Sequence, residues 1–241
     1  AHCVFERCEF VHLGSSAVSI EGKSEGNRIS GCHVYDVGGN GIMVGEPVNK
    51  SELLCRNNFI ANNFIHDCGV ISHGCVGIWV GLTGETVVAH NELCRLPYTG
   101  ISVGWQWDAN PTQCAKNIVE SNHVHDVMQM LSDGGGIYTL GRQPGTVLRG
   151  NLIHNIPPNS GRADSNGIFM DEGSSEILVE NNTIHNVAKS PIRFHKAALL
   201  RIRRNTLLVA AGLESFTFNN CDAKEMTFEE NLIRLIPREG P

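Results

Sequence analysis

Two aspartates stand in surroundings that suit acid–base chemistry. Asp133 lies in Ser132-Asp133-Gly134-Gly135-Gly136-Ile137-Tyr138, where three glycines let a backbone or a ligand come close. Asp171 lies in Met170-Asp171-Glu172-Gly173-Ser174-Ser175, and Glu172 beside it is the alternative acid. Aromatic residues surround both stretches: Trp79, Trp105, Trp107, Tyr138 and Phe169. Paired carboxylates beside aromatic residues suit cleavage of a glycosidic bond. One acid protonates the leaving oxygen and the other serves as nucleophile or base. Arg142 is a candidate contact for a sugar hydroxyl or carboxylate. Arg193 and His195, in Ile192-Arg193-Phe194-His195, could line the same groove or tune an acid.

The elements that must position these residues follow from an internal repeat. One phrase, Asn-x-(Ile/Val/Leu)-x-x-apolar, starts at Asn63, Asn91, Asn122, Asn151 and Asn182, with weaker copies at Asn205 and Asn231. Two early copies carry Cys8 and Cys32 in place of the Asn. Nine copies between residues 8 and 231 give a mean period of about 28 residues. A second phrase follows, as in Gly41-Ile42-Met43-Val44-Gly45, Gly77-Ile78-Trp79-Val80-Gly81 and Gly100-Ile101-Ser102-Val103-Gly104. A third apolar run precedes each Asn. All three alternate with period two, which reads as strands. Three short strands per repeat predict an all-β right-handed parallel β-helix of about nine coils, forming a single domain over residues 1–241. The repeated Asn is assigned to a left-handed turn and to a side-chain ladder between coils.

In this frame Ile42, Ile78, Ile101, Ile137 and Ile168 form a core column. Trp79, Tyr138 and Phe169 then point outward, where aromatic faces could hold sugar rings or pack beneath loops. Insertions at residues 69–76, 128–135 and 157–166 are expected to overhang one face and build a binding surface. One coil step of about 4.8 Å between Asp133 and Asp171 is close to the roughly 5 Å of retaining glycosidases. Their offset along the coil leaves inversion open.

Composition excludes several other classes. The 241 residues carry 19 Lys+Arg against 25 Asp+Glu, a net charge of −6, so no basic excess favours nucleic acid. No apolar run of about 18 residues predicts a membrane span. The 26 Gly and 22 Asn argue against long helices. Nine evenly spread cysteines lack disulfide or zinc spacing and read as small core residues. His66, His125, His154 and His185 share one column with Tyr35, Cys94, Leu208 and Arg234, which reads as a structural stack rather than a metal site. Neither a metal nor another cofactor is expected. Both ends begin and stop within the repeat and show no signal peptide. The reading is therefore a segment of a longer protein, with further N- and C-terminal parts.

The run Ile101-Ser102-Val103-Gly104-Trp105, the stretch from Asp133 through Tyr138 to Gly145, and Asp171-Glu172-Gly173-Ser174-Ser175 together resemble bacterial parallel β-helix glycosidases. The resemblance is to glycoside hydrolase family 141, which includes α-L-fucosidases and xylanases. It implies that Asp133 and Asp171 are the catalytic pair, that the substrate is a plant-type polysaccharide or oligosaccharide, and that the protein is extracellular or periplasmic. Two other readings share the fold: a polysaccharide lyase or uronate epimerase, and a non-catalytic carbohydrate-binding or surface β-helix. Against the former, the chain lacks the Asp-Pro-His-Asp motif of alginate epimerases and the paired-Asp motif of polygalacturonases.

Overall fold

The computed structural model describes residues 1–48, 55–159, 161 and 165–237. Among these residues the chain winds through three parallel sheets and contains no α-helix, only a 3-10 turn at Ala223–Glu225. Each of the first eight coils contributes one strand to each sheet and the ninth contributes to the first two, with each strand pairing with its equivalents in the neighbouring coils. The first sheet runs from Val4–Glu6 to Thr227–Glu229 and the second from Glu9–Leu13 to Leu232–Ile236, with nine strands each. The third runs from Val18–Ile20 to Phe216–Asn219, with eight strands. Among the described residues no helix is long and apolar enough to cross a membrane.

The register explains the core. Ile42, Ile78, Ile101, Ile137, Ile168 and Ile192 pair in sequence across the third sheet. All six are fully buried. Stacking one β-branched residue above another fills the coil interior without gaps. All nine cysteines are free, and five of them are buried. Burial pushes the Cys68 and Cys114 thiols up to about 12, so they behave as small apolar groups.

The Asn ladder is present, with one correction to its geometry. Asn63 Nδ2 donates to Asn91 Oδ1 (2.9 Å), and the chain continues through Asn122, Asn151, Asn182, Asn205 and Asn231. Each amide gives its second hydrogen to a main-chain carbonyl of the preceding coil, as Asn122 does to Val88 (2.9 Å). The left-handed residue, however, is the one before the ladder Asn: Asn62, His90, Ser121, Gly150, Asn181, Arg204 and Glu230 have φ between 52° and 64°. The preceding residue turns the chain. The ladder Asn itself then aims inward, where a buried amide needs every partner it can reach.

The His column is the expected stack. Tyr35, His66, Cys94, His125, His154 and His185 follow one another in register. The rings of His154 lie nearly parallel to those of His125 and His185, at 5.1 and 4.8 Å.

Candidate active site

The third sheet positions the acid expected at Asp171. The strand Ser165–Met170 ends one residue before it. A tight turn follows, closed by Ser174 N–H donating to the Asp171 carbonyl (2.9 Å), with Gly173 at φ 78°. A Cβ at Gly173 would lie 2.2 Å from the Asp108 carbonyl oxygen. Glycine there lets the Trp105–Asp108 segment pack directly on the turn. Sequence adjacency to the Gly is thus a packing requirement rather than a chemical one.

Asp171 is 6% exposed and holds a partner on each oxygen. The Tyr138 hydroxyl, from the preceding coil, donates to Oδ2 at 2.5 Å. His195 Nδ1, from the following coil, donates to Oδ1 at 2.7 Å. Tyr138 pairs with Phe169 in register, and Phe169 with Arg193, so the Tyr138 bond crosses diagonally to the outward position two residues farther along. Three consecutive coils therefore converge on one carboxylate.

Asp133 is held differently. It is exposed, with φ 66°, immediately before the strand Gly134–Thr139. Its carbonyl accepts from the Tyr98 hydroxyl at 2.6 Å. A Cβ at Gly134 would clash with Thr99 and Tyr98, so glycine there lets Tyr98 slide beneath the Asp133 turn. Gly134 registers with Ser165 and Thr139 with Met170, so Asp133 precedes the shared strand positions and Asp171 follows them. The expected single-coil-step separation of the two acids is corrected accordingly. Their backbones sit at opposite ends of a six-residue strand, with Tyr98 bonded at the Asp133 end and Tyr138 at the Asp171 end.

The electrostatics join these groups into one cluster. Burial raises the Tyr98 phenol first, and the Asp133 and Asp171 charges raise it further, to about 12. Tyr138 is raised well beyond its ordinary range by burial, by its bond to Asp171, and by the charges of Asp171 and Asp133. Both phenols therefore keep their protons at neutral pH and act as donors.

A cleft of about 270 Å³ opens beside this cluster, lined by Met43, Trp79, Tyr98, Trp105, Trp107 and Tyr138. The 69–76 insertion contributes Gly74, Cys75 and Val76 to its rim, as expected of an overhanging loop. The insertion at 157–166 lies partly outside the described residues. Trp79, Trp105 and Trp107 meet edge to face, with centroids 5.5 and 4.9 Å apart. Trp107 is 54% exposed and carries the open end of the group.

Other expected contacts are corrected. The outward aromatic row is not an open platform. Phe169 is 1% exposed beneath Tyr138, Leu140 and Trp105, and the Arg193 guanidinium covers its ring at 4.6 Å. Phe169 is thus a floor for Tyr138, and Arg193 is its cover. Trp79 is also largely covered, its indole lying against Gly81, yet it still reaches the cleft wall. Arg142 is engaged by Glu176 at 2.7 Å, and Glu172 by Lys196 at 2.8 Å. Neither joins the Asp171 cluster through these contacts. Tyr98 was not anticipated. A lone tyrosine in Pro97-Tyr98-Thr99 breaks no repeat position, so only the fold reveals its link to Asp133.

This architecture agrees with the comparisons. A family model described as "Right handed beta helix region" matches residues 1–160 and 112–240, and the chain belongs to that family. A search of curated proteins returns no match. Among solved structures, one titled "Glycoside hydrolase" is 24% identical with a TM-score of 0.69, covering 95% of this chain and 36% of its own. A lacto-N-biosidase from Eubacterium ramulus is 15% identical with a TM-score of 0.59, covering 93% of this chain and 46% of its own. The A-module of a mannuronan C-5 epimerase from Azotobacter vinelandii is 14% identical with a TM-score of 0.66, covering 99% of this chain and 62% of its own. The chain spans between about a third and two thirds of these three. They share its fold.

Proposed function

We propose that this chain carries the active site of a carbohydrate-active enzyme that hydrolyses glycosidic bonds, with Asp133 and Asp171 as its acids. The observation that carries this reading is Asp171: a buried carboxylate gripped from both sides, whose donor Tyr138 lines the tryptophan-bearing cleft. A carboxylate oriented by two donors suits the nucleophile or base, which must face the anomeric carbon in one fixed pose. Asp133 is then left the role of proton donor. Trp105 and Trp107 offer apolar faces on which a sugar ring can stack. The resemblance to family 141 glycosidases and the glycoside hydrolase among the structural neighbours support the same class. On that reading the substrate is a plant-type polysaccharide or oligosaccharide, and the protein works outside the cytoplasm.

The test is turnover on a panel of aryl glycosides and plant polysaccharides, for the wild type and for Asp133→Asn and Asp171→Asn. Both variants folding normally with wild-type turnover would remove the assignment. A second reading rests on one specific observation. A phenol and an imidazole on the two oxygens of one carboxylate also form a set for proton abstraction from a uronate. Products absorbing in the near ultraviolet, as unsaturated uronates do, would select a lyase instead.

A further inference from the structure

The second sheet carries a separate constellation on its outer face. His123 and His125 are two residues apart on the strand His123–His125, so both project from the same side. Glu92 registers with His123 in the preceding coil. Each of the three turns one ligand atom into a space where all lie within 4.8 Å of one another. His125 Nε2 is 3.4 Å from Glu92 Oε1.

The surroundings orient these atoms. His125 Nδ1 donates to Asp126 Oδ2 at 2.6 Å, which turns Nε2 toward the Glu92 carboxylate. A ring nitrogen beside a carboxylate can share a proton or a metal ion with it. A carboxylate behind a ligating imidazole is the usual second partner of a metal-bound histidine. His123 Nε2 lies 2.8 Å from His154 Nε2 of the next coil, which fixes the plane of its ring. Glu92 is exposed and both histidines are half-buried, so the cluster is open to solvent.

We propose that Glu92, His123 and His125 bind a divalent transition-metal cation of the zinc type, bridging two adjacent coils. Two imidazoles and one carboxylate match Zn²⁺, Co²⁺ or Ni²⁺, whereas Ca²⁺ and Mg²⁺ take oxygen ligands. Bond lengths of about 2.0–2.2 Å place tetrahedral ligands roughly 3.3 Å apart, so only a small closure of the three side chains is needed. The fourth position stays open to water.

The test uses the full chain stripped with a chelator, titrated with Zn²⁺ by calorimetry and with Co²⁺ by visible absorption. One ion per chain is expected, with Co²⁺ bands free of thiolate charge transfer. Glu92→Gln, His123→Gln and His125→Gln each weaken binding at least about tenfold, and Asp126→Asn weakens it about 10–100-fold. His185→Gln, which touches only the ring stack, leaves it unchanged. The Glu92 side chain is 49% exposed, so its variant tests the site without disturbing the fold. Three outcomes overturn the proposal: no stoichiometric Zn²⁺ binding, binding that the first three variants leave unchanged, or a thiolate band that assigns the ion to a cysteine.

Discussion

The Tyr138 hydroxyl reaches across one coil and two residues along the strand to donate to Asp171. This diagonal contact is the shortest bond of the cluster, and it places a neutral donor on a carboxylate that His195 already holds from the far side. Asp171→Asn is expected to reduce turnover by about 10²–10⁴-fold, and Tyr138→Phe by roughly 10²-fold. Steady-state kinetics with a far-ultraviolet circular dichroism check separates these losses from unfolding. Wild-type turnover in Tyr138→Phe would show that the phenol only packs.

The phenols make a pH prediction. The chain has three tyrosines, and Tyr35, Tyr98 and Tyr138 are all raised above the ordinary value. Tyr35 owes its shift first to its bond with Glu9, the other two first to burial. Absorbance titration of the folded protein should show no ordinary transition near pH 10. The unfolded chain releases these protons first. Stability is therefore fully present below about pH 10 and falls as pH rises toward 12 and beyond. Denaturant midpoints measured from pH 8 to 12 check the slope.

Asn122 lies inside the ladder, fully bonded on both sides. Asn122→Ala strands the Asn91 amide and the Val88 carbonyl, and should cost about 1–3 kcal/mol for each group left unpaired. Asn110→Ala, at an exposed position, should change stability by less than about 0.5 kcal/mol. Chemical denaturation of both variants makes the comparison. Equal midpoints would mean the ladder is not a source of stability.

Gly173→Ala drives a Cβ into the Asp108 carbonyl at a left-handed backbone position. The Trp105–Asp108 segment should lift, exposing tryptophan and weakening the grip on substrate. A red-shifted fluorescence maximum and a raised KM are the expected readouts. A crystal structure with that segment unmoved would overturn the prediction.

Arg142→Ala removes an ion pair with Glu176 whose members are both about a third exposed. The change in stability should be about 0–1 kcal/mol, with turnover unaffected. A large loss of turnover would return Arg142 to the substrate.

The periodic part of the molecule was readable because register repeats itself. Once Asn63, Asn91 and Asn122 are aligned, the sheets, the Ile column and the His stack follow. The site was readable only as a break in that rhythm, at Asp133 and Asp171. Column logic pairs like positions, so it could not anticipate a diagonal contact such as Tyr138 to Asp171, or Tyr98 beneath Asp133. It also distinguishes inward from outward, but not outward and open from outward and covered. That is why the sequence leaves Phe169 open to either role, ring platform or packed residue, and the Arg193 guanidinium lying on it decides for packing.

The ladder amides all donate in one direction, from each coil to the next. Every coil along this stretch thus offers an identical donor on one side and an identical acceptor on the other. Length is quantised as a result. Removing the stretch from Asn151 through Asn181 would set Asn122 against Asn182 with the same bond, whereas removing half of it would leave one donor and one acceptor facing nothing. Whole coils can enter or leave such a chain at low cost, and a cluster that spans three of them, as Tyr138, Asp171 and His195 do, can be carried on rods of different lengths.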